Sequence, residues 1–190
     1  MKGDKQKNHK PHARRVPEIY NYYVDEETNG EIYYSFETPE ADYTVYFNPN
    51  EYLNRLSEYP FLLKNAYGFG FFQFIKHQAA IPKTDTKIYN TIERIIIDFY
   101  NEKVNAVLLY HCYYTDGKQS KRSKKFDRWY CASAAKDVIR KHEIDLEIST
   151  NGKYITHYIG YLISNANVAI DSVHREFENF ALSFPDDNAK

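Results

Sequence analysis

The sequence predicts an α+β fold: one largely antiparallel, tyrosine-rich sheet of about six to seven strands with about four helices packed on it. Three observations carry this. The chain is 17% aromatic, with 19 tyrosines and 12 phenylalanines, and a ring with a polar tip suits a half-buried sheet face. Apolar residues alternate with period two over residues 20–47 and again over 143–164. Between and after these stretches lie apolar stripes at helical spacing, so the element order reads βββ-α-β-α-β-α-ββ-α.

Residues 1–16 have no periodicity and almost no apolar content, and read as a flexible basic arm. His9 and His12 have ligand-like spacing but no carboxylate or thiol beside them, so they read as part of a solvated tail. Tyr20, Tyr22 and Val24 then alternate with Asn21 and Tyr23. Asn29-Gly30 marks a turn, and Ile32, Tyr34 and Phe36 alternate with Tyr33 and Ser35. Beyond TPEAD, Tyr43, Val45 and Phe47 alternate with Thr44 and Tyr46, which completes an antiparallel three-stranded meander.

Asn48, Pro49 and Glu51 spell a helix start, Leu53, Leu56 and Tyr59 its apolar face, and Pro60 its interruption. GFGFFQFIKH (68–77) reads as a strand whose glycines permit a bend or a close approach. Ile88, Ile92, Ile95, Ile96 and Phe99 form one stripe of a helix over 84–102, with Asp85 near its start. AVLLYHCYY (106–114) is almost continuously apolar, the mark of a central strand covered on both faces.

Residues 119–140 read as a second long helix, basic at its start. EIDLEISTNGKYITHYIGYLIS (143–164) is a hairpin whose Asn151-Gly152 fits a two-residue type I′ turn. That turn places Thr150 opposite Lys153, Ile148 opposite Ile155, Leu146 opposite His157 and Ile144 opposite Ile159. Ile170, Val173, Phe177, Phe180 and Phe184 give the last helix its stripe, and Pro185 with a polar tail stops it. Residues 17–185 thus read as one α+β domain between the arm of 1–16 and a tail of 186–190.

Composition narrows the class. A chain of 190 residues, 43% hydrophobic and 27% charged, builds one sizeable core and is not wholly disordered. No run approaches the ~18 apolar residues of a membrane helix, and the basic start has no apolar stretch of a secretory signal. Only Cys112 and Cys131 are present, which excludes a disulfide framework or an all-cysteine zinc site. The expected setting is the reducing cytoplasm, without a membrane partner.

The net charge of −1 conceals an asymmetry: residues 1–15 sum to +5 and residues 118–128 to +5, which leaves −11 for the rest. Basic islands on an acidic body attract either an anionic partner or the body itself. The second island, DGKQSKRSKKFDRWY (116–130), follows the central strand, where α/β sheets often place ligands. Asp116-Gly117 makes the turn. Lys118, Lys121, Lys125 and Arg128 fall on one helical stripe, flanked by Arg122 and Lys124. Phe126, Trp129 and Tyr130 fall on an adjacent face, read as the inward one, with Trp129 largely buried. Free N–H groups beside several cations suit a phosphate group or a nucleic-acid backbone. An acidic protein surface is the other anionic partner, and a solvated basic face beside an aromatic anchor is the plainer reading. The spacing is not that of a Walker loop.

The stretch from the Ile-rich helix through AVLLYHCYYTDGKQSKRSKKFDRWY resembles a bacterial domain family of unknown function. That family carries a Val-Leu-x-Tyr-x-Cys strand, an Asp-Gly-Arg turn, further arginines and an ending such as Phe-x-Arg-Trp-Phe. YTVYF (43–47) is similar to an earlier motif of the same family. The resemblance spans most of residues 20–184 and rests mainly on about 25 of them. Lys118 and Lys124 stand where the family has arginine, while Arg122 and Arg128 remain; the exchange keeps the charge but loses the bidentate fork. The resemblance implies a fold unit and no activity.

Glu143, Asp145 and Glu147 share a strand face and read as solvent-facing, although three such carboxylates also suit Mg²⁺. His157 falls on the apolar face of the hairpin and His111 in the central strand, both as hydrogen-bonded core histidines. His111 and Cys112 point to opposite faces, which argues against a Cys–His dyad, and Cys112 reads as a core residue. The leading expectation is a binding module that engages nucleic acid or another phosphate-bearing ligand through Asp116, Lys118, Lys121, Arg122, Lys124, Lys125 and Arg128, with no metal and no cofactor. The alternatives are an enzyme of phosphodiester or nucleotide chemistry using Asp116 and Asp127, and an interaction subunit that presents Tyr-rich strands.

Overall fold

The computed structural model describes residues 17–76, 85–112, 114–150 and 152–183; the arm of 1–16 with His9 and His12, and the tail of 186–190, lie outside them. Strands β1 (Tyr22–Thr28), β2 (Glu31–Glu37) and β3 (Ala41–Asn48) form the antiparallel meander that the alternation predicts. Asn29 and Gly30 take φ of 56° and 81° in the first turn, the left-handed pair that a type I′ turn requires. Strand β4 (Ala66–Ile75) pairs antiparallel with β3 and parallel with β5 (Val107–Cys112). A parallel pair needs a long crossover, and helix α2 (Thr86–Glu102) lies in it. Strands β6 (Ile139–Thr150) and β7 (Lys153–Ser164) complete a seven-stranded sheet of order β1-β2-β3-β4-β5-β7-β6.

Helices pack on both faces. Helices α2 and α3 (Gln119–Ala132) pack on the face that carries Val45, Phe47, Leu108 and Tyr110. Helices α1 (Pro60–Asn65) and α4 (Ile170–Leu182) pack on the face that carries Leu109, Ile159, Tyr161 and Ile163. Alternate residues of β5 are therefore buried in two different cores, which explains why its sequence is continuously apolar. No helix among the described residues is long and apolar enough to cross a membrane.

The last hairpin has the register that its turn dictates, from Thr150 opposite Lys153 through Leu146 opposite His157 to Ile139 opposite Ser164. Gly152 has φ of 75°, as a type I′ turn needs, while Asn151 lies outside the described residues. Helix α2 opens at Asp85, whose Oδ1 accepts from Lys87 N at 2.8 Å. Helix α4 ends at Leu182, and Phe184 and Pro185 lie outside the described residues.

Two helices differ from the sequence reading. Asn48 ends β3, and its Oδ1 accepts from Asn50 N at 2.7 Å, an Asx turn and not a helix cap. Only a 3-10 turn at Leu53–Arg55 follows. Pro60 then starts α1 instead of interrupting a helix, since its missing N–H is harmless in a first turn. Phe61 N and Leu62 N donate to Glu176 Oε2 of α4 at 2.9 and 3.0 Å, so the α1 start is capped from another helix. The helix expected over 119–140 ends at Ala132. Ser133 Oγ accepts from Ala135 N at 2.7 Å and opens a 3-10 turn over Ala134–Asp137. Strand β6 then begins at Ile139, ahead of the expected 143.

Candidate functional site

Helix α3 leaves the end of β5 through a turn in which Gly117 has φ of 67°. Asp116 Oδ1 accepts from Lys118 N at 3.1 Å. Both Asp116 oxygens also accept from the Arg122 guanidinium, at 2.7 and 2.6 Å. This fork, with the Lys118 N–H, holds the Asp116 carboxyl at about 2, below the usual carboxylate range. The start of α3 thus already has a carboxylate of its own, and two of the expected ligand residues, Asp116 and Arg122, face each other.

The inner side of α3 is fixed by a polar junction. Ser123, buried, donates from Oγ to Glu143 Oε1 at 2.6 Å. Tyr110 Oη donates to Glu143 Oε2 at 3.0 Å, and Lys141 Nζ approaches the same oxygen at 3.3 Å and Asp127 Oδ1 at 2.6 Å. Glu143 is therefore not solvent-facing: its side chain is 12% exposed, whereas Asp145 and Glu147 remain at the surface. Gly160 makes the junction possible. It faces Tyr110 on β5 and Glu143 on β6, and a Cβ there would stand 2.3 Å from the Tyr110 ring and 2.6 Å from His142 O.

The outer side of α3 exposes Lys118, Lys121, Lys124, Lys125 and Arg128. Lys121, Lys124, Lys125 and Arg128 share one open surface with Asp127. Lys125 Nζ stands 4.8 Å over the Trp129 ring and 5.7 Å from that of Tyr89, and Arg128 Nε donates to Lys124 O at 3.2 Å.

Beside this surface, between α2 and α3, lies a cavity of about 290 Å³ lined by Tyr89, Ile92, Phe126, Trp129 and Leu162, with Asn90 and Glu93 as polar groups. Trp129 lies 3.8 Å from Tyr89 and 6.1 Å from Phe71 between ring centroids. It is half-buried and not largely buried, and it forms part of the cavity wall. The sequence reading missed this cavity, whose walls come from elements far apart in the chain; only the aromatic flank Phe126, Trp129 and Tyr130 signalled it.

The histidines of the core lie elsewhere. His111 Nε2 and His157 Nδ1 are 3.1 Å apart, their rings stacked. Burial, with the His157 ring beside it, pulls His111 down to about 4. Cys112 is buried, and burial with Glu143 nearby pushes its thiol up to about 12, so it stays protonated at neutral pH.

The model of a family of unknown function, DUF6169, matches residues 84–179, which take in α2, β5, α3, β6, β7 and most of α4. The surface of α3, the polar junction and the cavity all fall inside this span. No curated protein and no solved structure matches the chain.

Proposed function

We propose that the chain, which belongs to the DUF6169 family, is a cytoplasmic binding module that engages nucleic acid through the outer face of α3. The observation that supports this reading is a cluster of exposed cations. Lys121, Lys124, Lys125 and Arg128 share one surface, and among the described residues none of the four has an ion-pair partner. The nearest acids are committed elsewhere, Asp116 to Arg122 and Asp127 to Lys141. Cations that fold without a carboxylate partner are available to neutralise phosphates and to release counterions. The cavity beside them favours a single strand. Trp129 lines it, with Lys125 Nζ above the ring, so an aromatic wall on which a base can stack stands next to phosphate-binding charge.

An enzyme built on Asp116 and Asp127 has less support, since each carboxylate is already held by a cation. The interaction-subunit reading keeps one observation of its own. Tyr23, Phe72 and Phe74 stand 54%, 52% and 62% exposed on one face of the β1–β4 half of the sheet.

The test is fluorescence anisotropy of a labelled single-stranded oligonucleotide titrated with the full chain at low salt. Saturable binding, stronger than to a duplex of equal length, supports the reading. Absence of binding to either overturns it.

A further inference from the structure

We propose that His142, His174 and Glu178 form a divalent-metal site, zinc by its ligand type, that clamps α4 onto β6. His174 and Glu178 are one helical turn apart on α4, so their side chains lie one above the other. His142 projects from β6 toward them, its ring centroid 4.6 Å from that of His174. One ligand atom from each of the three residues lies within 4.8 Å of the other two.

The geometry fits a small ion. A tetrahedral zinc with bonds of ~2.0–2.1 Å sets its ligand atoms about 3.3 Å apart. His174 Nε2 and Glu178 Oε1 are already 3.4 Å apart. His142 offers the third ligand atom, within 4.8 Å of the other two. Two imidazoles and a carboxylate are a zinc donor set, and three protein ligands leave one position for water.

Two further observations point to a ligand and not to a simple ion pair. His142 Nε2 is buried and has no hydrogen-bond partner among the described residues, although buried polar atoms are nearly always satisfied. Tyr161 Oη lies 3.2 Å from His174 Nδ1. When Nδ1–H donates to that oxygen, Nε2 presents its lone pair to the site, the arrangement by which proteins orient metal-binding histidines. The ion has a way in, since the His174 and Glu178 side chains are 43% and 54% exposed, while Phe177 and Tyr161 form an apolar floor. The site lies on the face of the sheet opposite α3, so it stands apart from the nucleic-acid reading.

The full chain, stripped of metal by a chelator, is titrated with Zn²⁺ by calorimetry and with Co²⁺ by visible absorbance. The expected result is one saturating site whose Co²⁺ spectrum is that of a tetrahedral centre, and a melting temperature that rises with Zn²⁺. His174→Ala and Glu178→Gln, at half-exposed positions that fold without the ion, should each lose binding at Zn²⁺ levels that saturate the wild type. Tyr161→Phe should weaken binding about tenfold. A His9→Ala/His12→Ala double variant should bind as the wild type does. Failure of the wild type to bind either metal overturns the proposal. So does unchanged affinity in both His174→Ala and Glu178→Gln, or loss of the site in the His9→Ala/His12→Ala variant.

Discussion

Ser123 Oγ donates to Glu143 Oε1 at 2.6 Å, and this contact ties the buried side of the basic helix to the last hairpin. Glu143 also accepts from Tyr110 and Lys141, so one carboxylate joins β5, α3 and β6. The Lys141 side chain is only 6% exposed and depends on Glu143 and Asp127 for its counter-charge. Glu143→Ala should therefore destabilise the protein by ~3–5 kcal/mol, because it takes the acceptor from the buried Ser123 and Tyr110 hydroxyls and leaves Lys141 with Asp127 alone. Ser123→Ala, which removes one charge-assisted bond, should cost ~1.5–3 kcal/mol. Urea denaturation of the two variants measures both; equal small losses would show that Glu143 is not the junction.

Gly160 is a second lever on the same junction. Its missing Cβ leaves room for the Tyr110 ring, and His142 O lies too close behind for the backbone to yield. Gly160→Ala should cost ~1–3 kcal/mol through overpacking alone. A thermal melt that equals the wild type would mean that Tyr110 swings away freely.

Stability should fall as the solution is acidified from pH 6.5 toward 4. His111 titrates at about 4 in the folded chain and near 6.5 when unfolded, so between these values the unfolded chain binds the extra proton. Its contribution is complete above pH 6.5, lost progressively below it, and amounts to at most about 3 kcal/mol. His157, also lowered by burial, acts in the same direction. Chemical denaturation at a series of pH values should show a shallower loss in His111→Asn, and a slope equal to the wild type would contradict the assignment.

Trp129→Ala should cost roughly 1–3 kcal/mol, less than the ~3–5 of a fully buried aromatic residue, since the ring is half-buried and lines the cavity. The Lys125 cation–π contact goes with it. Oligonucleotide binding should weaken in the same variant if bases stack on this ring. Full stability with full binding would remove Trp129 from both roles.

What the sequence disclosed, and what it hid, follows from how local each determinant is. The Asn151-Gly152 turn sets the register of the hairpin, and every pair from Thr150 opposite Lys153 to Ile139 opposite Ser164 obeys it. The stripe from Ile88 to Phe99 marks α2 because one helix face suffices to bury it. By contrast, the end of α3 is set by Ser133 and by Glu93 of α2, whose Oε1 accepts from Ala135 N at 3.2 Å, a contact across 42 positions. Glu143 read as solvent-facing because its partners Tyr110 and Ser123 come from other elements. The parallel pairing of β4 with β5 has no local signal at all. At the candidate site, the cationic stripe was legible from helical spacing, while the Asp116–Arg122 fork and the cavity behind Trp129 depend on three-dimensional placement.

If the outer face of α3 neutralises phosphates, oligonucleotide affinity must fall with salt in proportion to the cations engaged. Lys121, Lys124, Lys125 and Arg128 allow up to four contacts. The slope of log affinity against log salt for a single strand should then be about −3, from ~0.7 per phosphate neutralised. Lys121→Glu/Lys124→Glu should weaken binding and reduce the slope by about half, with the melting temperature nearly unchanged because exposed lysines add little stability. A double variant that folds and binds with the wild-type slope would rule out the outer face of α3 and place the contact surface elsewhere in the chain.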